Sequence, residues 1–171
     1  MRRQGRYRAP VSRVPRQILV YVFRRRNAGG IEFLLLRRVD DRGGFWQGVT
    51  GAPEQQETDA QAAVREVLEE TGFHVEPTIA AIDYRYLLRP DTGDPAQWER
   101  LYGPEVTTVP EEVYVAEVPD GAEPVLAPAE HDAFTWCELE TALELLAWEE
   151  NRRALVSAHQ HIGRSGAAGP C

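Results

Sequence analysis

The stretch Gly51–Phe73, GAPEQQETDAQAAVREVLEETGF, combines a clear helix pattern with a crowd of acidic residues. Thr58 and Gln61 have the spacing of a capping box, which predicts that a helix begins near Thr58. Gly72 can adopt the left-handed conformation that ends many helices, so this helix should stop at Thr71. The question is why its last turns carry so much negative charge.

Three glutamates, Glu66, Glu69 and Glu70, lie three and four residues apart, so they should share one side of the helix. Like charges at this spacing cost about 0.2–0.5 kcal/mol per pair, and the helix C-terminus adds negative partial charge. One explanation is an ordinary solvated acidic face, where salt screens the repulsion. The other is a divalent cation, because Mg²⁺ and Mn²⁺ prefer carboxylate oxygens. Spacing alone leaves both open. The stripe expected to face a sheet is Ala60, Ala63, Val64, Val67 and Thr71.

Composition limits the class of protein. A chain of 171 residues with 43% apolar and 27% charged residues is typical of one globular domain. The net charge of −8 argues against a broad nucleic-acid-binding surface. Two cysteines, Cys137 and Cys171, give no disulfide framework, which favours the cytoplasm. No apolar run approaches the roughly 18 residues that a membrane span needs.

The chain is predicted to contain a single domain over residues 17–162. Residues 1–16 begin with MRRQGRYR and are expected to form a flexible basic arm. Residues 163–171, rich in small side chains, are expected to form a disordered tail. The sequence leaves the oligomeric state open, and a homodimer is one candidate.

Within the domain, strand and helix patterns are mixed. QILVYVFRR and IEFLLLRR predict a hairpin, and TIAAIDYRYLLR, EVYVAEV and AFTWCEL predict further strands. The segment VDDRGGFWQGVTG is expected to be a loop that ends at a short strand, and Pro90–Pro110 to be irregular. LETALELLAWEE and NRRALVSAHQH predict C-terminal helices with a break near Asn151. Helices before and after the strands favour a sandwich of the α/β or α+β type.

The whole acidic stretch matches a longer pattern. Gly51 is followed after five residues by Glu57, and after seven more by REVLEETGF, which begins at Arg65. This resembles the Nudix box, G-x5-E-x7-R-E-U-x-E-E-x-G-U with U bulky and apolar, at every defined position. Average residue usage puts a chance match in one chain at about one in ten million.

The resemblance implies a fold and an activity. Nudix proteins are α/β/α sandwiches around a mixed sheet, and the box forms a loop–helix–loop. They hydrolyse a nucleoside diphosphate linked to another group, with Mg²⁺ as the expected cofactor and Mn²⁺ as a substitute. Charge neutralisation and activation of water by such ions suit attack on a phosphoanhydride.

The resemblance also implies roles for individual residues. Arg65 is expected to orient the catalytic carboxylates, and Glu57 to support the site. Glu111, outside the box, is expected to join the metal site; the alternative is an exposed carboxylate at the start of a strand. The general base is left open among Glu66, Glu69 and Glu111. The predicted metal ligands are the Gly51 carbonyl, Glu66, Glu69, Glu70 and Glu111, and the catalytic set is Glu57, Arg65, Glu66, Glu69 and Glu70.

Segments outside the box are similar to a narrower branch. FWQGVTG, YGPEVTTVPEEVYVAEVP and EHDAFTWCELETALELL resemble the dihydroneopterin triphosphate pyrophosphatases. That branch implies a pterin triphosphate substrate. The alternatives are a housekeeping hydrolase of nucleoside triphosphates, dinucleoside polyphosphates or nucleotide sugars, and a non-catalytic nucleotide-binding or RNA-binding module. Gln56 departs from the branch, which has glycine before the box glutamate, so the loop backbone is expected to differ.

Substrate contacts are predicted on general chemistry. Arg37 and Arg38 could hold phosphates through bidentate guanidinium contacts, or could form an exposed strand end. Trp46, close to Gly51, is the favoured platform for a purine or pterin ring. No role is assigned to His131. The other aromatic candidates are expected to pack in the core: Tyr84, Tyr86, Trp98, Tyr102, Trp136 and Trp148.

Overall fold

The computed structural model describes residues 13–92 and 95–167, which form a mixed sheet of seven strands with helices on both faces. The strands are β1 (Gln17–Arg25), β2 (Ile31–Arg38), β3 (Trp46–Gln47), β4 (Val49–Gly51), β5 (Ile79–Leu88), β6 (Val109–Val118) and β7 (His131–Cys137). The α-helices are α1 (Asp59–Thr71), α2 (Pro95–Tyr102), α3 (Leu139–Leu145) and α4 (Glu149–Ala167), with 3-10 turns at Asp40–Arg42 and Pro90–Thr92.

Strand β1 is the centre of the sheet. It pairs in parallel with β6 and antiparallel with β2 and β4, and β5 extends the sheet beyond β6. Strand β2 also pairs with β3 and β7. The expected β1–β2 hairpin and the three later strands are therefore confirmed. Strand β6 starts at Val109, so Glu111 lies inside the ladder rather than before it.

The alternation of β1 divides the core into two layers, because successive strand residues point to opposite faces. Odd-numbered residues from Leu19 to Phe23 pack with Leu155 and its neighbours from α3 and α4. Even-numbered residues from Ile18 to Val22 pack with α1. Full burial of each Val, Leu or Ile contributes about 1.5–3 kcal/mol. The α/β/α sandwich expected from the sequence is confirmed.

Helix α1 begins and ends as predicted. The Gln61 amide donates to the Thr58 hydroxyl oxygen at 3.2 Å, and the Thr58 amide donates to the Gln61 side chain at 2.9 Å. Gly72 has φ 74°, and its amide donates to the carbonyl of Leu68. The buried stripe differs by a small rotation from the predicted one: Ala60 is exposed, while Ala62, Ala63, Val67, Glu70 and Thr71 are buried.

Two local predictions were wrong. The segment Pro90–Pro110 is not irregular, because it contains α2, whose Trp98 packs on Tyr102 with ring centroids 4.9 Å apart. The break between the C-terminal helices, predicted near Asn151, falls at residues 146–148, so that Asn151 lies in the first turn of α4. Leu146, the first residue of the break, is fully buried and forms a parallel β-bridge with Trp46. The packing of this residue therefore separates α3 from α4.

The described residues of the predicted arm and tail take part in the fold. Within the predicted arm, the Arg13 amide donates to Leu101 at 2.7 Å, and Arg16 pairs with Asp59 at 2.7 Å. Helix α4 includes residues 163–167, which had been assigned to the tail. Residues 1–12 and 168–171, the remainder of both predictions, lie outside the described residues. Among the helices described, none combines the length and the apolar character needed to cross a membrane.

Candidate active site

A cleft of about 1050 Å³ opens beside β4 and the start of α4. Three of the predicted metal ligands line it: Gly51, Glu66 and Glu111. Four arginines and five aromatic side chains also line the cleft: Arg13, Arg38, Arg42, Arg89, Phe45, Tyr86, Trp98, Tyr102 and Trp148. A cleft with acids among arginines and aromatic rings has the groups needed to hold cations, phosphates and a heterocycle together.

Gly51 is glycine because Glu66 lies directly against it. A Cβ on Gly51 would overlap the Cγ, Cδ and Oε1 atoms of Glu66. Burial raises the pKa of Glu66 to about 7, aided by the charges of Glu70 and Glu69, although Arg65 opposes the rise. The carboxylate is thus held in the cleft with its charge only partly compensated, which is the state that a cation would relieve.

Arg65 holds the loop and the helix of the box together. Its guanidinium makes a bidentate pair with Glu57, with both N···O distances 2.9 Å, and donates to Glu66 at 2.8 Å. It also donates to the Ala52 carbonyl at 3.1 Å and to Glu69 at 3.2 Å. Hydrogen bonding with Arg65 lowers the pKa of Glu57. The same guanidinium therefore joins Glu57 of the loop to Glu66 of the helix.

The three box glutamates do not form one exposed face. Glu69 is exposed and contacts Arg65, whereas Glu70 is only 2% exposed and contacts His131 at 2.9 Å between Oε2 and Nε2. Burial raises the pKa of Glu70, and the hydrogen bond with His131 opposes the rise. The sequence carried a signal for this burial, since Glu70 is three residues after the buried Val67.

Glu111 is held by neighbouring strands. It lies opposite Tyr86 in the β5–β6 ladder, and the Tyr86 hydroxyl donates to its carboxylate. Asn151, at the start of α4, donates to the same hydroxyl oxygen at 2.8 Å. Burial raises the pKa of Glu111 to about 7, against the effect of Tyr86. The alternative of an exposed carboxylate is therefore wrong, since Glu111 is 2% exposed.

The two predicted phosphate-binding arginines have different surroundings. Arg38 lines the cleft and pairs with Glu130 at 3.0 Å, and Arg42 reaches the same carboxylate at 3.5 Å. Arg37 is absent from the cleft lining of the described residues. It pairs with Asp40 and Asp132, both at 2.5 Å, and these hydrogen bonds raise its pKa. The β2–β7 register shifts between these two residues, so the strand is irregular at the point where their surroundings diverge.

The aromatic lining differs from the predicted platform. Trp46 packs against the core, and its neighbour Phe45 lines the cleft instead. Trp148, expected in the core, is 40% exposed and makes an edge contact with Phe45 at 6.1 Å between centroids. Trp98 also lines the cleft, and its indole N–H donates to the carbonyl of Val106 at 2.6 Å. The sequence did not predict the exposure of Trp148, because this residue lies in the break between α3 and α4 and not within a helix.

Gln56 adopts the backbone conformation that glycine would take. Its φ is 73°, a left-handed conformation that strains residues with a Cβ. The loop backbone at Gln56 is therefore in the left-handed region that glycine adopts without strain. The Glu54 amide donates to Glu57 at 2.9 Å across this turn, which helps to hold the strained position.

The donor set fits a divalent cation. Glu66 and Glu111 supply carboxylate oxygens in the cleft, and Gly51 can supply a backbone carbonyl. A second group, Glu70, Glu130 and His131, has one donor atom per residue within 4.8 Å of the others. Oxygen-rich surroundings favour Mg²⁺ or Mn²⁺ over softer metals. Of the predicted metal ligands, Gly51, Glu66 and Glu111 line the cleft, whereas Glu69 and Glu70 are absent from its described lining. Glu69 shares Arg65 with Glu66, and Glu70 lies in the second group.

Comparison with known proteins agrees with this geometry. The family model of the NUDIX domain matches residues 15–158. The dihydroneopterin triphosphate diphosphatase of Escherichia coli K12 is 32% identical over 150 residues, covering 87% of this chain and 91% of that protein. The solved structure of the E. coli dihydroneopterin triphosphate pyrophosphohydrolase has a TM-score of 0.70 at 31% identity, covering 85% of this chain and 94% of that one.

Two further relatives carry other names. An octanoyltransferase of Myxococcus xanthus is 40% identical over 125 residues, but the match covers 73% of this chain and only 31% of that longer protein. A rat bis(5'-nucleosyl)-tetraphosphatase is 29% identical over 136 residues, covering 77% of this chain and 81% of that relative. The chain belongs to the Nudix family. Its class is that of a hydrolase acting on phosphoanhydride bonds.

Proposed function

We propose that the protein is a divalent-metal-dependent pyrophosphohydrolase that cleaves a nucleoside triphosphate-like molecule, with dihydroneopterin triphosphate as the leading substrate. The observation that carries this proposal is the contact of Glu66 with Gly51 in a cleft that also contains Glu111 and several arginines. The 32% identity to the E. coli diphosphatase supports the pterin substrate. The expected products are a monophosphate and pyrophosphate.

Each group in the cleft has a task in this scheme. Gly51, Glu66 and Glu111 would hold the cation, together with Glu69 and Glu70. The cation would neutralise phosphate charge and make the attacking water more acidic. We assign the general base to Glu66 or Glu111, because both carboxylates line the cleft, whereas Glu69 is exposed and is absent from its described lining.

Arg65 and Glu57 keep the acids in place, and Arg38 with Arg42 is positioned to meet the terminal phosphates. Both arginines contact the one carboxylate of Glu130. One of them could therefore bind a phosphate while the other stays paired with Glu130. Arg37 is a weaker candidate, because two carboxylates hold it. The exposed ring of Trp148 replaces Trp46 as the proposed platform for the heterocycle.

The experiment is a substrate panel with Mg²⁺ in which pyrophosphate and orthophosphate are measured separately. Dihydroneopterin triphosphate should be turned over with release of pyrophosphate, faster than deoxynucleoside triphosphates or nucleotide sugars. Turnover of a dinucleoside tetraphosphate with no turnover of the pterin would overturn the substrate assignment. Absence of any phosphoanhydride cleavage would overturn the proposed function itself.

A dinucleoside polyphosphate is the second candidate substrate, and one observation favours it. Two pairs of aromatic rings in mutual contact line the cleft, Phe45 with Trp148 and Trp98 with Tyr102. A substrate with two bases could place one base against each pair, and the similarity to the rat tetraphosphatase supports this alternative. A small-molecule substrate in the cytoplasm, rather than a nucleic acid, is consistent with the net charge of −8 and the unpaired, buried Cys137.

A further inference from the structure

The pair formed by Glu70 and His131 is buried more deeply than any other ion pair of the described residues for which exposures are given. The side chains are 3% and 0% exposed, and Nε2 of His131 lies 2.9 Å from Oε2 of Glu70. The residues are separated by 61 positions in the chain, so the contact joins the last turn of α1 to the first residue of β7.

The backbone around His131 is fixed independently of this contact. His131 pairs with Arg38 in the β2–β7 ladder, and its amide donates to Ala127 at 3.0 Å. The end of α1 is tied to the same region, because the amide of Val125 donates to the carbonyl of Thr71 at 2.8 Å. The imidazole therefore meets Glu70 from a rigid position, as a positioning group must.

The contact is a poor device for stability alone. Nδ1 of His131 is buried without a hydrogen-bond partner, which is costly. A buried polar pair can often be replaced by apolar side chains of similar volume at little cost to stability. Apolar packing could not fix the direction of the Glu70 carboxylate. A single donor can, because it holds Oε2 and leaves Oε1 free of that contact.

We propose that His131 is a positioning residue that aims the Glu70 carboxylate at the divalent cation. This inference rests on the proposed function, in which Glu70 is a metal ligand. Nε2–H donates to Oε2, which restricts the rotation of the carboxylate and leaves Oε1 to face the cation. Glu130 lies in the same cluster and also lines the cleft, so the cluster borders the space in which the cation would sit.

The test measures Mn²⁺ binding to the purified full chain by the electron paramagnetic resonance signal of free Mn²⁺. His131→Phe keeps a ring of similar size but removes the donor, and it should weaken Mn²⁺ binding by about 10-fold or more. His131→Gln places an amide N–H near the position of Nε2 and should bind within about threefold of the wild type. The Mg²⁺ concentration that gives half-maximal activity should shift in the same order.

His131→Asn is the matched control, because it carries the same amide on a shorter side chain that does not reach Glu70. It should bind Mn²⁺ as weakly as His131→Phe, and the Gln–Asn pair decides the question even where the Phe variant fails to fold. Thermal unfolding establishes which variants are folded. Equal Mn²⁺ binding by folded Gln and Asn variants would overturn the inference, whether both match the wild type or both are weak. A wild type that neither binds Mn²⁺ nor cleaves any substrate would instead overturn the proposed function.

Discussion

The two walls of the cleft are stabilised by different forces. The box wall, formed by β4, residues 52–58 and α1, is held by charges, with Arg65 contacting Glu57, Glu66 and Glu69. The insert wall, formed by residues 87–90 and α2, is held by the packing of Trp98 on Tyr102 and by the backbone contact of Leu101 with Arg13. Charged networks fix carboxylates with angular precision, while aromatic packing provides a surface that tolerates different ligands.

This difference suggests that the two walls have different roles in turnover. Changes in the box wall should lower the rate of the chemical step, because they would move groups that are proposed to act on the scissile phosphate. Changes in the insert wall should act mainly on substrate binding, because its rings would contact parts of the substrate away from the reaction. Each of the following predictions tests these two roles.

The largest effect is expected from Gly51→Ala. The new Cβ would overlap the side chain of Glu66 and force it to move. A displacement of about 1 Å in a catalytic group can cost about 100-fold, so kcat should fall by about that factor. Gly163→Ala is the control, because a Cβ there meets nothing within 4 Å. Steady-state kinetics check both, and an active Gly51→Ala enzyme would contradict the proposed role of the Gly51–Glu66 contact.

Arg65→Lys should have the next largest effect. Lysine keeps the charge but cannot make the bidentate pair with Glu57 while also reaching Glu66, so the free energy of unfolding should fall by about 1–3 kcal/mol. The exposed Arg153, which pairs with Glu149 on α4, provides the control. Arg153→Lys should change the free energy of unfolding by less than about 0.5 kcal/mol. Urea denaturation measures both, and equal effects would show that the box wall is not held by this network.

The metal-free protein should lose stability as the pH rises. Glu66 and Glu111 have pKa values of about 7 in the fold against 4.5 as the ordinary value, so the folded state binds their protons more tightly. The stabilisation is complete below about pH 4.5 and is lost as the pH rises through about 7, on the order of 2 kcal/mol per group. Mg²⁺ should restore stability above pH 7, because it binds the ionised carboxylates.

Thermal unfolding between pH 5 and pH 8 without metal checks this prediction. Glu111→Gln cannot ionise at this position, so the dependence of its stability on pH should be shallower than that of the wild type. Mg²⁺ should also stabilise this variant less. An unchanged slope for Glu111→Gln would mean that the buried carboxylate does not titrate in this range.

Trp98→Ala tests the insert wall. Loss of the ring should raise KM by about 10-fold with kcat nearly unchanged, because a remote binding contact is lost without any change near the scissile bond. Phe134→Ala is the control, because the ring of Phe134 is 36% exposed but is not among the described residues that line the cleft. A fall in kcat at constant KM would assign Trp98 to the chemical step and would contradict the different roles proposed for the two walls.

The smallest effect is expected from Gln56→Gly. Relief of the left-handed strain at φ 73° stabilises the fold, while the greater freedom of glycine in the unfolded chain opposes this. The net gain should be less than about 1 kcal/mol, with activity retained. Gln55→Gly has no such strain to relieve and should be slightly destabilising. Denaturant unfolding distinguishes the two signs, and a destabilised Gln56→Gly protein would show that the loop gains more from the glutamine side chain than it loses in strain.

The sequence predicted the box wall better than the insert wall for physical reasons. The ends of α1 depend on local contacts of Thr58, Gln61 and Gly72, which a short segment contains. The spacing after Val67 indicates that Glu70 is buried, but its partner His131 lies 61 residues away, and no local pattern specifies that partner. Helix α2 contains one local contact, Trp98 with Tyr102, but its place in the fold depends on the contact of Leu101 with Arg13, which is distant in the sequence.

In the proposed function, Glu66, held against Gly51, and Glu111, held by Tyr86, together bind the divalent cation on which turnover depends. Isothermal titration of Mn²⁺ into the wild type, Glu66→Gln and Glu111→Gln measures this binding, with the exposed Glu149→Gln as control. We expect Mn²⁺ to bind the wild type and the control, and to bind each cleft variant at least about 10-fold more weakly. Equal binding to all four proteins would mean that these two carboxylates do not hold the cation.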